Sequence, residues 1–130
     1  MATKVTGTLG LGPGSKVVGV PTPFIKYMYL ARANQGSTVT SSPSLPSSAS
    51  VAIAYMAGIY PDDGSGSATI SIIYEGSTVA SKTISSSSDW GNFKCGAVFA
   101  LKTSYTVTFK INLSSYSGSY VYYTYVLAGV

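Results

Sequence analysis

Helix signals are nearly absent from this chain, and strand signals recur along most of its length. No window of twelve or more residues repeats apolar side chains at i, i+3, i+4 and i+7 without a glycine, a proline or a β-branched run intervening. A two-residue period places successive side chains on opposite faces of an extended strand, so such a chain has few ways to fold except as sheets. The segments 3–9, 15–20, 24–32, 49–58, 67–75, 77–84, 92–101, 104–112 and 119–128 read as strands, bounded by Gly, Ser, Pro and Asn clusters. This spacing predicts an all-β antiparallel sandwich, immunoglobulin-like or jelly-roll, of about eight or nine strands. At 130 residues it forms a single domain, 1–130.

The strands differ in how many apolar faces they carry. In 104–112, Tyr105, Val107, Phe109 and Ile111 alternate with Ser104, Thr106, Thr108 and Lys110, giving one core face and one wet face. In 119–128, Tyr120, Tyr122 and Val126 share one face while Val121, Tyr123, Tyr125 and Leu127 share the other. Strand 49–58 sets Val51, Ile53 and Tyr55 against Ala52, Ala54 and Met56, and 24–32 sets Phe24, Met28 and Leu30 against Ile25, Tyr27 and Tyr29. Two sheets enclose only one interior. The second apolar face of such strands is therefore expected to meet another subunit, with Tyr120, Tyr122, Tyr123 and Tyr125 as interface candidates.

Catalytic chemistry has little to work with. The chain has no His, a single Cys95, and four carboxylates: Asp62, Asp63, Glu75 and Asp89. This excludes histidine triads, His/Cys zinc sites and an intrachain disulfide. No catalytic, cofactor-binding or metal-binding residue is assigned, no cofactor is expected, and the chain reads as a non-enzyme. The net charge of +4 comes from singly scattered lysines and one arginine, not the clustered cations of a nucleic-acid binder, so no specific nucleic-acid binding is expected. The longest apolar run, 120–130, is interrupted by Thr124 and is about half a membrane span. The first 25 residues hold no continuous apolar stretch of the kind a secretory leader carries.

Several local motifs carry a structural reading beside a functional one. Asp62-Asp63-Gly64-Ser65-Gly66 reads as a solvated turn rather than a calcium loop, because too few oxygen ligands accompany it. Cys95 reads as a small buried hydrophobe. Trp90 either plugs one end of the sandwich or serves as a ligand-stacking platform with surface tyrosines. Asn112-Leu113-Ser114 fits the N-glycosylation pattern. The segment 33–48 reads as a long Ser/Pro-rich connection. Residues 1–20 form a candidate exchangeable N-terminal segment, with Val5, Leu9, Val17, Val18 and Val20 as contacts to a neighbouring subunit's sheet edge.

Leu101-x-x-x-Tyr105-x-Val107 resembles the tyrosine corner of immunoglobulin-like sandwiches, which implies that the Tyr105 hydroxyl bonds back to nearby backbone. In size, strand pattern and Ser/Thr/Tyr/Gly-rich composition, the whole chain resembles the small β-sandwich structural proteins of hyperthermophilic archaea and their viruses. It departs from the usual hyperthermophile signature in lacking abundant Lys and Glu. That resemblance implies a self-assembling component of a virion or extracellular filament, whose partners are copies of itself or other structural subunits. A carbohydrate-binding or host-attachment module recognising cell-surface glycan is the alternative.

Overall fold

The computed structural model describes residues 24–59, 65–85, 93–118 and 120–130, and among them every regular element is a strand. In chain order these are β1 (Phe24–Asn34), β2 (Thr38–Ser41), β3 (Val51–Ile59), β4 (Ser65–Gly66), β5 (Ala68–Tyr74), β6 (Ser77–Ile84), β7 (Lys94–Ala100), β8 (Thr108–Asn112), β9 (Tyr116–Ser117) and β10 (Tyr120–Gly129). One four-stranded sheet has the order β1-β10-β3-β7 and the other β2-β8-β5-β6, while β9 and β4 form a short ladder of their own.

The long pairings are nested. β5 pairs with β6, β3 with β7, β2 with β8 and β1 with β10, all antiparallel. Taken from the inside outward, successive pairs fall alternately in one sheet and the other. The chain is thus a single long hairpin rolled across itself, which is a jelly roll. Of the two sandwich types the sequence allows, the connectivity selects this one, and the immunoglobulin-like alternative is set aside.

The innermost hairpin shows how sequence sets the roll. Between β5 and β6, Glu75 and Gly76 both have left-handed backbones, at φ 50° and 78°. That is the two-residue turn whose twist suits a hairpin, with glycine at the position it favours. β5 then alternates cleanly, with Ala68, Ile70, Ile72 and Tyr74 buried and the residues between them half-exposed.

Between the sheets, Met56, Val121, Tyr123, Tyr125 and Leu127 of the first meet Ile70, Ile72, Phe109 and Ile111 of the second. Phe109 and Tyr125 stack across the interior, with ring centroids 4.5 Å apart and planes inclined by 14°. Leu45 and Ala49, from the connection after β2, are also buried in this core.

Two expectations from sequence change here. The 33–48 connection contains a strand, β2, because Val39 pairs opposite Ile111 of β8. The expected strand 104–112 is regular only from Thr108. Before that, the chain holds 43–45 through Leu45 N–H to the Tyr105 carbonyl, Val107 N–H to the Pro43 carbonyl, and a bridge between Ser44 and Thr106. Pro43 has no N–H to donate, so an uninterrupted ladder cannot form there. The expected strands 3–9 and 15–20 lie outside the described residues.

Candidate functional site

The two outer faces of the sandwich differ sharply in chemistry. On the β2-β8-β5-β6 sheet, hydroxyls pair across strands: Thr69 with Thr83 at 2.7 Å, and Thr38 donating to the Asn112 side-chain carbonyl at 3.3 Å. Beyond the end of β2, Ser42 pairs with Thr108 at 3.0 Å and Ser44 with Thr106 at 2.6 Å. Such pairs satisfy one another and still face water.

On the β1-β10-β3-β7 sheet the outer face is apolar. All five large hydrophobic residues exposed among the described residues lie on it: Ile53 at 38%, Tyr55 at 41%, Ile59 at 55%, Val98 at 70% and Tyr122 at 42%. The ladder makes them neighbours. Val98 is opposite Ile53, Tyr55 is opposite Val126, and Ile59 is opposite Tyr122. Two of the five are tyrosines, whose rings carry about 150–250 Å² each, and with Ile53, Ile59 and Val98 the partly exposed groups together reach the few hundred Å² that mark an interaction patch. At the Ile59 end, a depression of about 220 Å³ is lined by Ala57, Gly58, Ile59, Tyr122, Tyr123 and Thr124. Beside it, Tyr120 meets Tyr122 edge-on at 5.0 Å, and the Arg32 guanidinium sits 4.9 Å from the centre of the Tyr120 ring.

β3 is built the opposite way from a strand that serves only its own core. It buries Ala52, Ala54 and Met56 and turns Ile53, Tyr55 and Ile59 outward. Burial of a large apolar side chain is worth about 1.5–3 kcal/mol. β3 gains that burial at Met56 but only in part at Ile53, Tyr55 and Ile59.

The interface tyrosines named from sequence divide accordingly. Tyr122 is exposed and Tyr120 half-buried on the outer face, whereas Tyr123 and Tyr125 are each only 5% exposed, inside the sandwich. That is a correction. Alternation sends neighbouring residues to opposite faces, so Tyr123 and Tyr125 are core and cannot meet a partner. Ile59 and Val98 are exposed on the same outer face as Tyr122; Ile59 falls just past the expected strand end, and Val98 follows Gly96 and Ala97. Val5, Leu9, Val17, Val18, Val20, Trp90 and the Asp62-Asp63 turn lie outside the described residues.

The hydroxyl that ties a corner to backbone belongs to Tyr74, not Tyr105. Tyr74 donates to the Ser104 carbonyl at 2.7 Å and accepts from Lys102 N–H at 2.7 Å, while Tyr105 is half-buried and engages through its own carbonyl. Next to it, Glu75 is the one carboxylate among the described residues. Its Oε2 accepts from Thr103 Oγ1 at 2.6 Å and from the N–H groups of Thr103 and Ser104 at 3.3 and 3.2 Å. The Thr103 hydroxyl, then these amides and nearby Lys102, hold the Glu75 carboxyl below its ordinary value, against a smaller opposing effect of desolvation.

A lowered native pKa means that the stability from this carboxylate is present above the unfolded value of about 4.5 and is lost as pH falls through the native value. Glu75→Gln is therefore expected to lower the melting temperature at neutral pH. The two melting curves should converge below the ordinary glutamate range in a pH series. A gap that persists unchanged in acid would remove the ionised carboxylate from this role.

Cys95 is half-buried on the inner side of β7, and desolvation pushes its thiol up to about 11. It is a thiol at neutral pH and lacks the thiolate that nucleophilic chemistry requires. Asn112 accepts from Ser114 N–H at 2.9 Å, closing the turn after β8. No group of three or more metal-ligating side chains sits together among the described residues, and no helix there is long and apolar enough to cross a membrane.

The chain is, in class, an all-β jelly-roll sandwich with one polar and one apolar outer face. No protein-family model matches it, and no curated protein does. Among solved structures it is similar to a protein of the Bacillus endospore appendages, described as disulfide-linked pili, at 14% identity over 85% of this chain and 91% of that one, with a TM-score of 0.42. It is similar also to a chain of Triatoma virus, at 9% identity over 83% of this chain and 62% of that one, TM-score 0.42. A carbohydrate-binding module in complex with calcium and xylotriose is similar at 16% identity over 82% of this chain and 98% of that one, TM-score 0.34.

Proposed function

We propose that this chain is a non-enzymatic structural subunit that assembles with copies of itself into a virion component or extracellular filament. The observation that carries the reading is the inverted β3, with Ala52 and Ala54 inside and Ile53, Tyr55 and Ile59 outside, at the centre of an apolar face. An interaction surface supplies the burial that the fold withholds from these residues. The Ser/Thr face opposite suits the side left in contact with water.

The double variant Ile53→Lys/Tyr122→Lys tests it. Both residues are exposed and make no core contact, so circular dichroism should show the fold retained. Losing two interface anchors worth about 2 kcal/mol each weakens self-association about a thousandfold. Light scattering over a dilution series should show the unsubstituted chain assembled and the variant monomeric. A native chain that stays monomeric at every concentration overturns the proposal.

A second reading, glycan binding, is favoured by the exposed rings of Tyr55 and Tyr122 on the same face. It predicts glycan affinity that falls with Tyr122→Ala while the chain remains monomeric.

A further inference from the structure

Among the described residues β7 is an open edge of the apolar sheet, and its ladder shows which backbone groups face outward. Leu101 N–H donates to the Ser50 carbonyl at 2.8 Å, and Gly58 N–H donates to the Phe93 carbonyl at 2.9 Å. Hydrogen-bonded positions alternate along an antiparallel strand. Residues 95, 97 and 99 therefore bond toward β3, and the N–H and C=O groups of Lys94, Gly96, Val98 and Ala100 point off the sheet.

Edge strands usually carry devices against unwanted pairing. β1 contains Lys26 and Arg32 and faces a register shift at Leu127/Ala128. β2 is four residues long and is followed closely by Pro43. β6 contains Lys82 and lies against a register shift at Ile72/Ile73. β7 has neither proline nor bulge, and its one charge, Lys94, stands at its first residue.

We infer that β7 is the edge through which two copies of this chain join, antiparallel about a two-fold axis at Ala97. The inference rests on the reading of the chain as a self-assembling subunit. In this register Lys94 lies opposite Ala100 and Gly96 opposite Val98 of the other copy. Every edge-facing residue then meets another edge-facing residue, so the open backbone groups pair with one another.

Two features of the strand fit this register. Val98, the most exposed large hydrophobic residue among the described ones at 70%, comes to lie across from Gly96, where a side chain is missing and the Tyr55 ring lies close by. The two Lys94 side chains stand at opposite ends of the new ladder, about 20 Å apart, well beyond the ~8 Å screening length at physiological salt. A parallel alignment would set them side by side. The joined sheet also makes one continuous apolar surface from two.

Hydrogen exchange on the unsubstituted chain reads the pairing directly. In the assembled state the amides of Gly96, Val98 and Ala100 should exchange at least about tenfold more slowly than in the dissociated chain. Ala97→Cys, made in a Cys95→Ser background, should give a disulfide-linked dimer, since a non-hydrogen-bonded pair brings Cα atoms to about 4.5 Å, within disulfide range. Val98→Pro removes an outward N–H that the sandwich does not use and should weaken self-association about thirtyfold or more; Val98→Thr, which keeps the amide, should not.

An assembled chain with unprotected Gly96 and Val98 amides and no Ala97→Cys dimer overturns the edge pairing and leaves self-assembly standing. A native chain that never assembles overturns both. If Val98→Pro fails to fold, exchange and the disulfide still decide.

Discussion

Phe109→Ala should destabilise the domain by about 3–5 kcal/mol. Phe109 is 1% exposed, faces Ile72 in the ladder and stacks on Tyr125 across the sandwich. Truncation removes the ring from a close-packed interior and leaves Tyr125 facing a void, so both lost transfer energy and the cavity contribute. For a chain of this size the melting temperature should fall by roughly 10–20 °C. Phe109→Leu, which keeps most of the volume, should cost clearly less. Equal losses for the two variants would mean that the stack does not hold the sheets together.

Gly58→Ala should cost about 1–3 kcal/mol although it adds only one methyl group. Gly58 sits within β3 with its missing Cβ directed at Phe93, where a real Cβ would stand 2.6 and 2.7 Å from two ring atoms. Phe93 is itself 1% exposed, and its carbonyl accepts from Gly58 N–H, so neither partner has room to move aside. Phe93→Leu should recover part of the loss in a double-mutant cycle, because the two sites share one space. Strict additivity in thermal unfolding would show that the ring does not rest on the glycine.

The sequence carried the sheet class because alternation is a local signal. Segment 77–84 coincides with β6, and 24–32, 49–58 and 119–128 differ from β1, β3 and β10 only at their ends. β2 was hidden because Thr-Val-Thr-Ser has one apolar residue, and its pairing with β8 is decided by a partner seventy residues away. The choice between jelly roll and immunoglobulin-like sandwich turns on which strands pair. Nothing in a single strand's pattern records that.

For the surface, the doubly apolar strands announced a second face needing cover, but period two alone does not say which face is inward. In β10 both sets contain tyrosines, and packing against Phe109 draws Tyr125 inside while Tyr122 stays out. The hydroxyl clamp was misplaced for a similar reason. The Leu-x-x-x-Tyr-x-Val pattern pointed at Tyr105, but Tyr74 reaches the same corner from the neighbouring hairpin, a relation that spans the roll.

β10 is the last strand of this sequence, yet it lies between β1 and β3. On the ribosome, then, among the described residues β1 waits without a partner and β3 stands with one side open until residues 120–129 emerge. Neither the row of Ile59 and Tyr122 nor that of Tyr55 and Val126 exists before that moment. The row of Ile53 and Val98 needs only β3 and β7, so the apolar face is built from its β7 side first and completed by its late-made strand.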